Sequence, residues 1–418
     1  MKEIKKEKLN ICMAMDAYIP YVDGVVNCMD NYLKEIVKKE NAFALAPKYK
    51  NQKDGEISYE ILRCKSCYFP IVGAMYGFPG FDRRFKKAVK GKEIDIMHFH
   101  SPFNMSKFAV REAKRRGVPV VATFHSNFRP IVYKVAKMRF LTEWVVKYIG
   151  RVYNRVDELF CVNEGVAMQA RSFGYKGKIT LLPFGTELEK VTNLDCLIKR
   201  ANEEFKIEEN ELVFLYVGRI MALKRIDFIL DALKIVKEKG VDFKFFVVGK
   251  GPEERALKEK VKKLGLENSV IFTGFLDREL LPLIYARADL FLFPSLYDNF
   301  GLVKVEASTY DTPGVFIENS QAGLSVTDGV NGYLSKDTVV DFASKILYAV
   351  SDKEKLKKVG KKAGEDLYIN WETCARLLVK RYKEIIENKE PNIHSISKEE
   401  SKKVKQYINE EYKKFKNK

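Results

Sequence analysis

Two carboxylates, Asp298 and Glu306, flank a glycine in the stretch SLYDNFGLVKVEA. The preceding run, ADLFLFPS, reads as a buried strand, and the run after Gly301 reads as the start of a helix. The first peptide N–H groups of a helix have no partner within it, and the helix dipole favours an anion beside them. Phe300, Gly301, Leu302 and Val303 therefore form a backbone cradle suited to phosphate, with Gly301 permitting close approach. A carboxylate is a poor phosphate contact and a good acceptor for hydroxyls. Asp298 and Glu306 accordingly suit a polyol, a sugar or ribose, next to that phosphate. Arg219 and Lys224 in LYVGRIMALKR supply cations past another strand end, where charge-assisted contacts to phosphate are strong. Gly249 and Gly251 in VVGKGPE, and Gly24 in DAYIPYVDGVV, stand between strand ends and helix starts as further ligand-approach positions.

Histidine is scarce. Three of the four, His98, His100 and His125, lie at expected strand ends in HFHSPFN and TFHSNF. Three imidazoles could ligate zinc, but no acidic or thiol partner is evident nearby, so no metal is expected. His98 alternates with its neighbours as a core histidine would. His125 ends a strongly apolar strand and is the best catalytic candidate. The pair in CKSC, Cys64 and Cys67, has no second pair, which favours reduced thiols.

Parallel sheets must hold these residues. LNICMAM, IDIMHFH, VPVVATFH, ELFCVN and KITLLP alternate with helical stretches such as 105–116 and 131–152. The pattern restarts with LVFLYVG, FKFFVVG, SVIFTGF, DLFLFPS and GVFIE, interleaved with helical stretches at 226–237 and 253–264. Alternation of this kind gives parallel sheets covered on both faces. Two series predict an α/β fold of two doubly wound, Rossmann-like domains, with ligands at the carboxyl ends of the strands. The expected division is 1–190, 191–370, a helix at 371–388 packing back on the first domain, and a basic tail at 389–418, read as a loosely attached helix.

The chain of 418 residues is 46% hydrophobic and 31% charged, ordinary for a globular protein. No apolar run is long enough for a membrane-spanning helix, and the charged start is unlike a signal peptide, so a cytoplasmic location is expected. The net charge is +18, and residues 74–155 carry 18 Lys and Arg against 5 Asp and Glu. Such a cluster suits an anionic partner. No DNA- or RNA-binding motif accompanies it, so nucleic acid is not expected. In FRPIVYKVAKMRFLTEWVVKYIGRVYNR, aromatics and cations at helical spacing fit an interfacial membrane contact. They fit equally a helix whose Val135, Leu141, Val145 and Ile149 face the core.

In order and at this spacing, VGRIMALKR, VVGKGP, FTGF, ADLFLFPSLYDNFGLVKVEA and DGVNGYL resemble the retaining glycosyltransferases of family four. The resemblance spans residues 8–388 and implies the GT-B fold, two Rossmann-like domains facing a cleft. It assigns Asp298 to the donor sugar, Glu306 to the ribose, Arg219 and Lys224 to the diphosphate, His125 to the transferred sugar, and Gly24 to the first loop. Three departures bear on sugar identity. Asp298 stands where the family usually has Glu, Thr312-Pro313-Gly314-Val315 replaces small-x-Pro-Val, and a glutamate is missing near Ala322-Gly323. The opening MDAYIPYVDGVVN and HFHSPFN are similar to bacterial transferases that glucosylate diacylglycerol. The resemblance thus implies transfer of a hexose, glucose, from UDP-glucose to a lipid acceptor, by a protein peripheral on the inner face of the membrane. The nucleotide sugar is a substrate, and with no Asp-x-Asp pair no essential metal or cofactor is expected. A soluble transferase of surface-polysaccharide synthesis and a non-catalytic partner protein stand as alternatives.

Overall fold

A computed structural model describes residues 7–21, 23–50, 54–69, 74–125, 127–296, 298, 300–388 and 397–416. The chain divides into two compact units, Met1–Phe184 with Trp371–Lys418, and Gly185–Asn370.

The first unit carries β1 (Asn10–Ala14), α1 (Gly24–Ile36), β2 (Asn41–Pro47), β3 (Glu60–Cys64), β4 (Ser66–Phe69), β5 (Ala74–Gly77), α2 (Arg83–Lys90), β6 (Ile96–Phe99) and α3 (Asn104–Arg116). It continues with β7 (Val120–Thr123), α4 (Arg129–Ala136), α5 (Arg139–Tyr153), β8 (Glu158–Cys161), α6 (Glu164–Ser172) and β9 (Ile179–Leu181). Seven strands form one sheet in the order β3-β2-β1-β6-β7-β8-β9, with all neighbours parallel. β4 and β5 form a separate antiparallel hairpin. The sequence pattern announced β1 and β6 to β9. It missed β2, whose NAFALAP is rich in alanine, and β3, whose EILRC carries charges; both are specified by pairing in the sheet rather than by propensity.

The second unit carries α7 (Asp195–Phe205), β10 (Val213–Val217), α8 (Ile226–Glu238), β11 (Lys244–Val248), α9 (Glu254–Leu264), β12 (Val270–Gly274), α10 (Leu281–Arg287) and β13 (Leu290–Phe293). α11 (Leu302–Thr309), β14 (Gly314–Ile317), β15 (Tyr333–Ser335), α12 (Val339–Val350) and α13 (Lys353–Asp366) complete it. Its six-stranded sheet has the order β12-β11-β10-β13-β14-β15, again parallel throughout. This is the doubly wound order that reverses direction beside its first strand, here between β10 and β13. All five residues of β10 and all four of β13 are buried, as strands covered on both faces must be.

The chain then returns to the first unit through α14 (Trp371–Asn388) and α15 (Lys398–Lys416). α14 packs on α1, with Trp371 edge-on to Tyr32 at 5.1 Å. Two expectations need correction. The helix expected at 131–152 is two helices, because Lys137 takes a left-handed conformation, φ 52°, and Met138 is extended. The tail expected to be loosely attached contains a docked helix. Glu400 of α15 pairs with Arg171, and Glu411 reaches the fully buried Arg129, which also binds Glu143 at 2.7 Å. Val404 and Tyr412 of α15 are buried as well, and Tyr412 packs edge-on to Tyr133 at 5.4 Å. Residues 389–396 and 417–418 of that tail lie outside the described residues.

Candidate functional site

In the second unit, the loops after β10 and β13 emerge side by side at the switch point. β10 hands on to Gly218, Arg219 and a tight turn at Ala222–Lys224. β13 hands on to Pro294, Ser295 and Asp298. There Lys224 Nζ meets Asp298 Oδ1 directly, with both side chains largely buried. The ammonium also lies 5.6 Å from the ring centre of Phe293. Asp298 Oδ2 is buried and has no hydrogen-bond partner among the described residues. An acceptor so placed is costly unless something donates to it. Burial, followed by the charge of Asp298, pushes the Tyr216 hydroxyl well above the usual tyrosine range. Arg219 is exposed, and its carbonyl accepts from Tyr216 at 3.2 Å.

Gly249 and Gly251 have a reason inside the protein. The loop after β11 runs against the loop after β10, joined by Gly218 N–H to Val248 O and Ile220 N–H to Lys250 O, both 3.0 Å. A Cβ on Gly249 would stand 2.0 Å from Gly218 O, and one on Gly251 would stand 2.0 Å from Ile220 O. Gly24, the first residue of α1, differs. A Cβ there would meet nothing within 4 Å.

Gly301 adopts φ 71° and opens α11, so the N–H groups of Leu302 and Val303 lie at the helix start. One turn on, Glu306 accepts from Tyr285 at 2.7 Å. Burial raises the Glu306 carboxyl above its usual range, the Tyr285 bond opposes this, and the charge of Glu187 adds to it. Sequence reasoning missed Lys304. It is 3% exposed, and its Nζ donates to Ala322 O at 2.7 Å and to Ser325 Oγ. Phe300 and Phe316 lie 5.4 and 6.0 Å from that ammonium. Burial alone pushes its pKa down to about 8. The only sequence signal was a lysine on the inward side of an otherwise apolar first turn.

The first unit gathers imidazoles instead. His98 is a core residue, bonded to Tyr382 at 2.5 Å and Thr123 at 2.8 Å. His100 Nδ1 and His125 Nε2 share a hydrogen bond of 2.9 Å, and the rings stack at 5.1 Å. His125 also stacks on Phe184 at 5.4 Å. Burial pushes His125 down to about 3 and holds His98 and His100 well below the usual histidine range, so all three are neutral at physiological pH. Cys28, from α1, joins His100 and His125; their ligand atoms lie within 4.8 Å of one another. All seven cysteines are free thiols.

The outer face of α4 and α5 is apolar and cationic. Val135, Phe140 and Trp144 are 78%, 77% and 60% exposed, and Ile131, Met138, Leu141 and Tyr148 join them. Val146, Ile149 and Val152 fill the opposite, core-facing side of α5. Of the four residues that a core-facing helix would bury, Ile149 is buried, Val145 is half-buried, and Val135 and Leu141 are exposed. Among the described residues no helix is long and apolar enough to cross a membrane.

Comparison with known proteins agrees with this architecture. Residues 198–366 match the glycosyl transferases group 1, and residues 22–190 match glycosyltransferase family 4. The chain is 26% identical to an alpha-monoglucosyldiacylglycerol synthase of Streptococcus pneumoniae, over 78% of this chain and 75% of that protein. It is 31% identical to an N-acetyl-alpha-D-glucosaminyl L-malate synthase of Bacillus anthracis, over 71% of this chain and 76% of that protein. Among solved structures, Anabaena Alr3699/HepE in complex with UDP superposes with a TM-score of 0.68 at 19% identity, covering 90% of this chain and 100% of that one. With two parallel sheets of the GT-B kind and family matches over both, the chain belongs to the glycosyltransferases of family four.

Proposed function

We propose that the protein transfers glucose from UDP-glucose, with retention at the anomeric carbon, to a membrane lipid acceptor such as diacylglycerol. In this reading the second unit holds the donor. Arg219, Lys224 and the N–H groups of Leu302 and Val303 meet the diphosphate and stabilise the charge that develops on it as the glycosidic bond breaks. The unpartnered Asp298 Oδ2 accepts from a sugar hydroxyl, and Glu306 accepts from the ribose. Gly24 and a neutral His125 of the first unit attend the transferred sugar, where an uncharged imidazole can exchange hydrogen bonds with hydroxyls.

The single observation that carries the lipid acceptor is the exposed face of α4 and α5. Burying one large apolar side chain is worth roughly 1.5–3 kcal/mol, and each cation near an anionic leaflet about 1 kcal/mol. Val135, Phe140, Trp144, Lys134, Lys137, Arg139 and Lys147 together would hold the unit firmly on such a surface. The pneumococcal relative is named for a glucosyl lipid, which supports the same acceptor. The test is UDP-glucose turnover on anionic vesicles with and without diacylglycerol, with the anomeric configuration of the product read by NMR. An α-glucosyl lipid is expected. Turnover confined to soluble acceptors would replace the lipid reading by that of a soluble transferase, and no turnover with any acceptor would favour a non-catalytic partner.

A further inference from the structure

We propose that Cys28, His100 and His125 form a site for a soft divalent cation of the zinc class, and that its occupation shuts off transfer. The three residues come from α1 and from the ends of β6 and β7, and their ligand atoms lie within 4.8 Å of one another. Cys28 is 1% exposed and His100 is 2% exposed. His100 Nε2 is buried with no hydrogen-bond partner among the described residues. A buried polar atom left so is a rarity that calls for an explanation, and an ion is one.

The donor set selects the metal. One sulfur and two imidazole nitrogens without a carboxylate suit zinc, and oppose magnesium or calcium, which require oxygen ligands. Zinc–nitrogen bonds near 2.0–2.1 Å and zinc–sulfur bonds near 2.3 Å set ligand atoms about 3.3–3.7 Å apart in a tetrahedron. The candidate ligand atoms lie within 4.8 Å of one another, so the three side chains must draw together to reach that spacing. His98 lies against His100, ring centres 4.2 Å apart and tilted by 31°, and is itself fixed by Tyr382 and Thr123, which restrains the ring. Binding replaces the Cys28 S–H bond by S–Zn and releases that proton to solvent. The fourth position falls to water. The inhibitory half rests on the assignment of His125 to the sugar; the metal site does not.

Cobalt(II) titration of the full chain tests the site, because thiolate ligation gives a near-ultraviolet charge-transfer band. One equivalent should produce the band, zinc should abolish it, and Cys28→Ser or Cys28→Ala should lose it while keeping a cooperative melt. Zinc should also inhibit sugar transfer reversibly by a chelator, and the Cys28 variants should need at least ~10-fold more zinc. Absence of the band in the natural protein, or its survival in both variants through Cys67 or Cys196, overturns the site. A Cys28-dependent band with transfer untouched by saturating zinc keeps the site and overturns the inhibition, and with it the role given to His125.

Discussion

Past β10 and β13 the second unit collects Lys224, Asp298, Arg219 and a helix start, while past β6 and β7 the first unit collects His100, His125 and a thiol. Both sheets are parallel and doubly wound; the imidazoles follow strand carboxyl ends in the first, with the thiol brought in by α1, and the charged groups follow strand carboxyl ends in the second. The chemistry at the two ends is opposite. In the second unit a carboxylate and an ammonium neutralise one another, with one carboxylate oxygen left over. In the first, burial keeps His98, His100 and His125 neutral. The same topology therefore supplies a charged pair in one unit and a buried, uncharged polar cluster in the other. The difference lies in loop residues, as expected where a scaffold is held constant and loops carry function.

Removing the ammonium should break this contrast most severely. Lys224→Ala removes the cation proposed to meet the diphosphate and leaves Asp298 without its counter-charge. We expect kcat/KM for the donor to fall by about 100- to 1,000-fold, the effect of losing one preorganised stabilising group. His125→Ala should leave donor binding, measured by UDP-induced thermal shift, nearly unchanged while lowering turnover. A loss of UDP binding in that variant would erase the division of labour between the units.

Lys304 sharpens the electrostatic side. Its pKa in the folded protein, about 8, lies below the usual lysine value of 10.5. The unfolded chain therefore binds more protons between these values, and folding stability rises with pH across that window. Below pH 8 the buried cation is carried at a cost. The stability of the natural protein minus that of Lys304→Met should be flat up to pH 8 and climb by about 3 kcal/mol towards pH 10.5. Urea unfolding across that range measures it, and a flat difference throughout would mean that Lys304 is not held in a desolvating site.

The glycines separate packing from ligand approach. Gly249→Ala forces a Cβ against Gly218 O and should cost ~2–3 kcal/mol of stability in the second unit. Gly24→Ala meets open space, so its unfolding free energy should match that of the natural protein within the ~0.5 kcal/mol typical of surface changes, while turnover drops. Unchanged turnover would remove Gly24 from the site. On the outer face of α5, Trp144→Glu should weaken binding to anionic vesicles by roughly 2 kcal/mol, about 30-fold, and leave turnover of a soluble acceptor unchanged. The smallest effect is expected from Glu306→Gln, which reduces a charge-assisted bond to a neutral one. Its donor KM should rise roughly tenfold with kcat little changed, the mark of an interaction made equally in ground and transition states.

The residue pattern determined much of the second unit. β10 and β13 are continuous apolar runs, and Asp298, Gly301, Glu306, Arg219 and Lys224 are tied to strand ends or helix starts by local spacing, which is written in sequence. Local spacing cannot show which of those groups touch. Only the tertiary structure decided that Lys224 and Asp298 meet, that the glycines at 249 and 251 serve the neighbouring loop, and that Lys304 is buried. The imidazole cluster is the clearest case. No thiol lies near His100 or His125 along the chain, yet folding of α1 against the sheet brings in Cys28 from more than seventy residues away. Periodicity records which face of an element is buried; it holds no record of which distant element arrives there, because that is settled by sheet order and packing.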